Sequence, residues 1–185
     1  MVSDSASGPA PGYLDTRRLR MVAANAQLIS IDIEGRAALA NALGVQVPDN
    51  WPPDLYDRTT MQFALDELGD PAVRGWSYWY LQLREPEGHE LVGISGFKGR
   101  PDARGSVEIS YSILSQFRRR GLATEAVSGL LGWAFRHPAV AQVTAETFPW
   151  LEQSLGVLRN CGFTFEGQGS EPGVVRYSVN RSMLR

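Results

Sequence analysis

A chain of 185 residues with 43% hydrophobic and 21% charged side chains has an ordinary globular composition, and its length suits one domain with a proper core. A formal charge of −2 excludes general attraction to nucleic acid or anionic membranes, so any anion must be met by a local patch. Cys161 is the single cysteine, which excludes an internal disulfide framework and suits a reducing cytoplasm. His89 and His137 lack metal-ligand spacing to a cysteine or carboxylate pair, so no metal is expected. No apolar run is long enough to span a bilayer and no basic-then-apolar leader opens the chain, so the expectation is cytoplasmic, without a membrane partner.

Residues 1–12 are small, polar and rich in Pro and Gly, and read as a disordered tail before a single domain over 13–185. Residues 19–22 suit a short strand. Helical spacing runs over 23–43 with a break near Gly35. Trp51 and the prolines after it make 48–53 a loop, and helical spacing resumes over 58–68. Residues 76–84 and 90–98 flank Glu85-Pro86-Glu87-Gly88, a hairpin signal. In 106–114, Val107, Ile109, Tyr111 and Ile113 alternate with Glu108, Ser110 and Ser112, the period of a strand. A helix follows over 121–136, with Val127, Leu130, Leu131, Ala134 and Phe135 on one stripe, and Pro138 stops it. Residues 142–147 make a strand, 153–160 a short helix ending at Gly162, and 163–165 and 174–180 the last strands. The sum is α/β: meandering strands, then one strand–helix–strand unit.

The chemistry concentrates in Arg118-Arg119-Arg120-Gly121-Leu122-Ala123, between a strand and an amphipathic helix. A helix N-terminus offers free N–H groups and the positive end of the dipole, which together suit phosphate. Gly121 lets the backbone approach a ligand, Ala123 keeps the next turn uncrowded, and three arginines add charge. A pyrophosphate fits best. A solvated surface turn or a small nucleic-acid patch is the alternative for the arginines taken alone. Neither GxxxxGK[ST] nor GxGxxG after a strand occurs, so P-loop and dinucleotide sites are unsupported.

Arg118-x-x-Gly121-x-Ala123 resembles the Q/R-x-x-G-x-G/A acetyl-CoA signature of GNAT N-acetyltransferases. Glu108-Ile109-Ser110-Tyr111 and Gly121-Leu122-Ala123-Thr124-Glu125-Ala126 resemble the "EIGY…G-x-A-T-E-A" pattern of the ribosomal-protein N-terminal acetyltransferase branch. Ser154-Leu155-Gly156-Val157-Leu158-Arg159-Asn160-Cys161-Gly162-Phe163 resembles its "S-x-R-V-L-E-K-x-G-F", and Thr16-Arg17-Arg18-Leu19-Arg20 the start of its first strand. The likeness covers most of residues 14–180.

The resemblance implies a GNAT fold with a mixed, mostly antiparallel sheet of about six or seven strands flanked by helices. It implies acetyl-CoA as co-substrate and an amine acceptor, either a protein N-terminus or a small amine, with a homodimer common among such proteins. The backbone at Ile113, Leu114 and Ser115 would hydrogen-bond the pantetheine arm, and the N–H groups of Arg118, Arg119, Arg120, Gly121, Leu122 and Ala123 would cradle the pyrophosphate. Ser154 stands where the family has a serine near the cofactor arm.

Two positions depart from the pattern. Leu151 replaces a frequent asparagine, weakening a cofactor hydrogen bond. Leu158 replaces a tyrosine that protonates the leaving thiolate, although a thiol of pKa near ~8.5 leaves tolerably unprotonated.

An α-amine titrates at roughly 7.7–8.0 and a lysine amine at about 10.4, so a base matters most for lysine-like acceptors. Glu108 is the candidate base, with a rim carboxylate that only binds the cationic substrate or pairs with an arginine as its alternative. A backbone N–H near Ile113 would meet the oxyanion. Ser154 relays a proton to sulfur, or caps its helix, or contacts the cofactor. Trp51, held between prolines, is the candidate acceptor wall, and Tyr111 and Trp133 border the acceptor or lie in the core. Trp76, Tyr78, Trp79, Tyr80 and Trp150 read as structural. Two other classes stay open: an acyl-CoA-binding module without turnover, and a small nucleic-acid-binding domain using Arg118, Arg119 and Arg120.

Overall fold

The computed structural model describes residues 12–86 and 88–183. Of the expected tail, 1–11 lies outside these residues, while the Gly12 carbonyl accepts the Ala23 N–H at 2.9 Å. Strands β1 (Tyr13–Asp15), β2 (Leu19–Ala23), β3 (Tyr78–Glu85), β4 (Gly88–Phe97), β5 (Ser106–Ile113), β6 (Gln142–Thr147), β7 (Thr164–Gln168) and β8 (Val175–Asn180) form one eight-stranded sheet in the order β1-β2-β3-β4-β5-β6-β8-β7. All pairings are antiparallel except β5 with β6. The mixed α/β sheet is as expected, with one strand more than the upper count. That strand is β1, only three residues long, too short for any alternation to declare itself.

Among the described residues five α-helices flank the sheet: α1 (Ala26–Glu34), α2 (Arg36–Leu43), α3 (Arg58–Glu67), α4 (Leu122–Ala134) and α5 (Glu152–Asn160). Local chemistry sets their ends. The Asn25 side chain accepts the Leu28 N–H at 2.8 Å to start α1, and Gly35, with φ 139°, breaks it from α2. Asp57 caps α3 through the Thr60 N–H at 2.9 Å.

Helices α4 and α5 cover one face. There Trp133 of α4 packs against Trp79 at 5.4 Å and Phe97 at 5.7 Å between ring centroids, an aromatic contribution to the core. On the other face Tyr80, next to Trp79 in β3, meets the α1–α3 layer. Its hydroxyl donates to Asp32 of α1 at 2.8 Å, and the Trp51 indole N–H donates to the same carboxylate at 2.9 Å. Asp32 is 5% exposed; burial raises its pKa, and the bonds from Trp51 and Tyr80 oppose that rise. The cluster staples α1, the loop after α2 and β3 together.

The feature that positions the site is a short parallel pairing. β5 and β6 are in register only at Ser106↔Gln142, Val107↔Val143 and Glu108↔Thr144. Beyond Glu108, β5 stays with β4 and β6 stays with β8, so the sheet splits toward its carboxyl ends. Close approach of β4 holds β5 in this course. A Cβ added at Gly93 would stand 2.3 Å from the Ser112 carbonyl oxygen, which no side chain can accommodate. Gly93→Ala is therefore expected to cost about 1–3 kcal/mol, read as a lowered urea midpoint at unchanged slope. Wild-type stability in that variant would contradict the tight β4–β5 contact.

Candidate functional site

The main chain along the split can be read from its neighbours. Lys98 N–H donates to the Glu108 carbonyl at 2.9 Å and Leu114 N–H to that of Val92 at 2.9 Å. Even-numbered residues of β5 thus turn their backbone toward β4, and by strand alternation Ile109, Tyr111 and Ile113 turn theirs toward the split. Of the expected Ile113, Leu114 and Ser115 cradle, Leu114 is committed to β4, and the Ser115 carbonyl takes the Arg118 N–H at 3.3 Å. The Ile113 carbonyl takes Arg118 Nε at 2.9 Å. The free edge is centred on Tyr111 and the Ile113 N–H, a step earlier in the strand than expected.

At the open end lies the start of α4. Arg119 and Gly121 have φ of 61° and 74°, and such left-handed residues curl successive N–H groups into a concave nest. No side chain caps α4, so the N–H groups of Leu122, Ala123 and Thr124 point outward unsatisfied. Arg118, Arg119, Arg120 and Gly121 are all exposed, Leu122 is core and Ala123 half-buried. Arg118 pairs with Asp54 at 2.5 Å and Arg120 reaches Glu85 at 3.5 Å, whereas Arg119 makes no ion pair among the described residues.

A buttress holds this loop. Glu125, one turn into α4, accepts the Thr16 hydroxyl at 2.6 Å, the Arg18 N–H at 2.6 Å and Arg18 Nε at 2.7 Å. Arg18 also donates to the Arg120 carbonyl at 2.8 Å. Burial pushes the Glu125 pKa up, but the Thr16 and Arg18 contacts prevail and hold it below its ordinary value. Both motifs are visible in the sequence, but their contact is not. The signal was a carboxylate in the helix's first turn and an arginine in the first strand motif, which only the fold brings together.

Glu108 stands at the apex of the split, on the face of Asp32 and Tyr80, and forms an ion pair with Lys98. Ser154 and Tyr111 come together: their hydroxyls are 2.9 Å apart. Tyr111 is therefore on the α4–α5 face, opposite Glu108, and burial pushes its pKa up to about 12. Trp51 is buried, with its one polar atom spent on Asp32. Trp133 is half-buried and packs against the core on the α4 face. Trp150, read as structural, is 66% exposed and stacks on Phe148 at 4.6 Å. Leu151 is exposed at the uncapped start of α5. Leu158 is wholly buried, so its side chain serves the core and not the split. Glu146 pins the β7–β8 turn beside the mouth, accepting from Arg176 at 2.7 Å and from the Ser170 N–H at 2.9 Å.

The ensemble can bind an anion at α4, extend a chain-like ligand along β5 and present a carboxylate at the far end. Among the described residues no group of His, Cys, Asp and Glu side chains is arranged to hold a metal ion, and no helix is long and apolar enough to cross a membrane.

Residues 32–164 match the acetyltransferase (GNAT) domain family. The chain is 25% identical over 158 residues, 85% of its length and 93% of the relative's, to the uncharacterized N-acetyltransferase YjdG of Bacillus subtilis (strain 168). Among solved structures it superposes on the ribosomal L7/L12 alpha-N-protein acetyltransferase RimL in complex with coenzyme A, with TM-score 0.63 and 16% identity over 91% of this chain and 98% of that one. It also superposes on the microcin C7 self immunity acetyltransferase MccE in complex with acetyl-CoA and AMP, with TM-score 0.61 and 14% identity over 89% and 93% of the two chains. At these identities the superpositions show a shared fold.

The Glu125 buttress carries a pH signature. Its folded-state pKa is lowered, so its contribution is fully present above the ordinary 4.5 and is lost as pH falls through the lowered value. Glu125→Gln is expected to cost about 1–2 kcal/mol at neutral pH, with allowance for the solvent-screened Arg18. In paired urea titrations the gap should close as pH drops below 4.5; a gap independent of pH would contradict the charged staple.

Proposed function

The chain belongs to the GNAT acetyltransferase family, and we propose that it acts as an enzyme transferring the acetyl group of acetyl-CoA to a primary amine, as a single cytoplasmic domain over residues 13–185. The observation that carries this reading is the β5–β6 split, whose free main-chain edge runs from an uncapped helix N-terminus to a carboxylate. The fit to acetyl-CoA is chemical. The nest at Arg119 and Gly121 and the α4 N–H groups suit a pyrophosphate, and the free N–H and C=O of Tyr111 with the N–H of Ile113 suit an amide-bearing arm lying along β5 as an added strand. When bound, acetyl-CoA supplies an acyl group already activated as a thioester.

The chain's own residues supply the rest. An arm stretched from α4 along β5 ends toward Glu108, so the Tyr111 N–H, nearer the apex than Ile113, is the better donor to the thioester oxygen as charge develops there. Glu108 takes the proton from the incoming ammonium, directly or through water, so that a neutral amine attacks. Lys98 holds the Glu108 carboxylate in place and must yield to the acceptor or leave room for that water. Tyr111, pushed up to about 12, is a poor acid toward a thiolate near ~8.5. Its hydroxyl and that of Ser154 serve as neutral donors that steady the departing sulfur, which leaves unprotonated or takes its proton from water. Cys161 is buried and its thiol pKa is pushed up by that burial, which argues for direct transfer in a ternary complex without a covalent enzyme intermediate.

A protein N-terminus is supported as acceptor by the likeness to a ribosomal-protein acetyltransferase, and a small amine remains the competing class. A second reading, acyl-CoA binding without turnover, draws on Leu158, which fills the core where a protonating tyrosine would stand.

Calorimetric titration with acetyl-CoA, followed by thiol release over a panel of amines and N-terminal peptides, separates these readings. Binding with release is the expected result. Binding without release supports the binding module, and absence of binding defeats both. Glu108→Gln should keep acetyl-CoA affinity within about threefold while kcat falls about 100-fold. Full kcat across neutral pH would dismiss Glu108 as the base.

A further inference from the structure

Segment 48–57 crosses the face of the sheet that carries Glu108, and it meets the loop before α4 at two places. The Asn50 and Gln116 carboxamides exchange hydrogen bonds of 2.8 and 2.9 Å. Asp54 receives Arg118 Nη2 at 2.5 Å, and the same guanidinium gives its Nε to the Ile113 carbonyl at 2.9 Å. One arginine thus joins three elements: the end of β5, the anion-binding loop and the segment on the acceptor side. Asp54 is followed by Leu55, which is 89% exposed with φ 66°. A leucine in the left-handed region is strained, and such strain persists only where the surroundings hold it. Here they do so from both sides. Trp51 is tied down to Asp32 at 2.9 Å, and Asp57 caps α3. Tyr56, wholly buried, and the Asn50–Gln116 exchange hold the flanks of the strained turn, and Asp54 adds the ion pair that ties the turn itself to the loop before α4.

We propose that Asp54 is a positioning residue: through Arg118 it docks segment 48–57, with Leu55 at its tip, against the cofactor loop, so that a loaded loop orders the wall receiving the amine. The inference rests on the acetyl-CoA reading of that loop. It carries a sign that a merely structural role lacks. The Asp54 carboxylate lies beside the anion site and opposes a polyanion there. Its removal loosens the acceptor wall while leaving the anion as welcome as before, or more so.

The test is backbone amide exchange over 48–57 with acetyl-CoA as the probe. In the wild type, saturating acetyl-CoA slows exchange at Asp54 and Leu55 severalfold. Asp54→Asn binds acetyl-CoA with a Kd equal to or up to about threefold below that of the wild type, yet gains no protection in the segment. With the fastest amine of the panel its KM rises about tenfold while kcat stays within about threefold, and Asp54→Glu restores both protection and KM. Wild-type protection and KM in Asp54→Asn overturn the proposal, as does acetyl-CoA binding that leaves exchange over 48–57 unchanged in the wild type. If the wild type fails to bind acetyl-CoA, the functional reading itself falls, and calorimetry tells that outcome apart from the others.

Discussion

A parallel strand pair that ends after three residue pairs leaves main-chain donors and acceptors that the sheet itself cannot use. Backbone polar groups left without partners away from water are costly, and folds normally pair them. Here the unpaired edge at Tyr111 and Ile113 opens beside a second set of unsatisfied donors, the uncapped first turn of α4. The two sets are aligned because Glu125 fastens that turn to Thr16 and Arg18, across the sheet from β5. Without this fastening the helix end and the strand edge would be independent features. With it they form one extended track, positively charged at its mouth and ending at a carboxylate.

The faces of the sheet divide the work. On the α4–α5 side the packing is aromatic and aliphatic, with Trp133, Trp79 and Phe97 locked together and Leu158 filling the core. That side holds α4 still, and Tyr111 and Ser154 place neutral hydroxyls at its margin. The α1–α3 side is more polar. Asp32 is buried with Trp51 and Tyr80 as partners, Glu108 is paired with Lys98, and Glu146 is paired with Arg176. Carboxylates held in fixed positions suit a cation, and under the proposed reading the strand would carry an anion at one end and a cation at the other.

Much of this was legible in the sequence. The alternation in β5 and the apolar stripe of α4 were strong periodic signals, and the arginine-glycine loop between them kept its expected place. Tyr111 and Ser154 were both singled out, though their contact was not foreseen, because nothing local relates a strand residue to a helix that follows another strand. β1 escaped because three residues carry no period. Trp51 lies inside and Trp150 outside for a physical reason: prolines around a tryptophan fix its loop but not its burial. A buried carboxylate drew Trp51 inward, while Phe148 gave Trp150 a stacking partner at the surface. The ion pairs of Arg18 and Arg118 join residues far apart in the chain, and only the fold could supply them.

Whether the β5 edge and the α4 N-terminus form one binding track can be followed in the backbone amide resonances of the ¹⁵N-labelled protein during titration with coenzyme A. The largest shifts are expected on Tyr111, Ile113 and the amides of residues 119–124, with β1 and β7 at the sheet's outer edges nearly still. Shifts confined to another surface, or saturable binding that leaves Tyr111 and Ile113 unmoved, would contradict a single track.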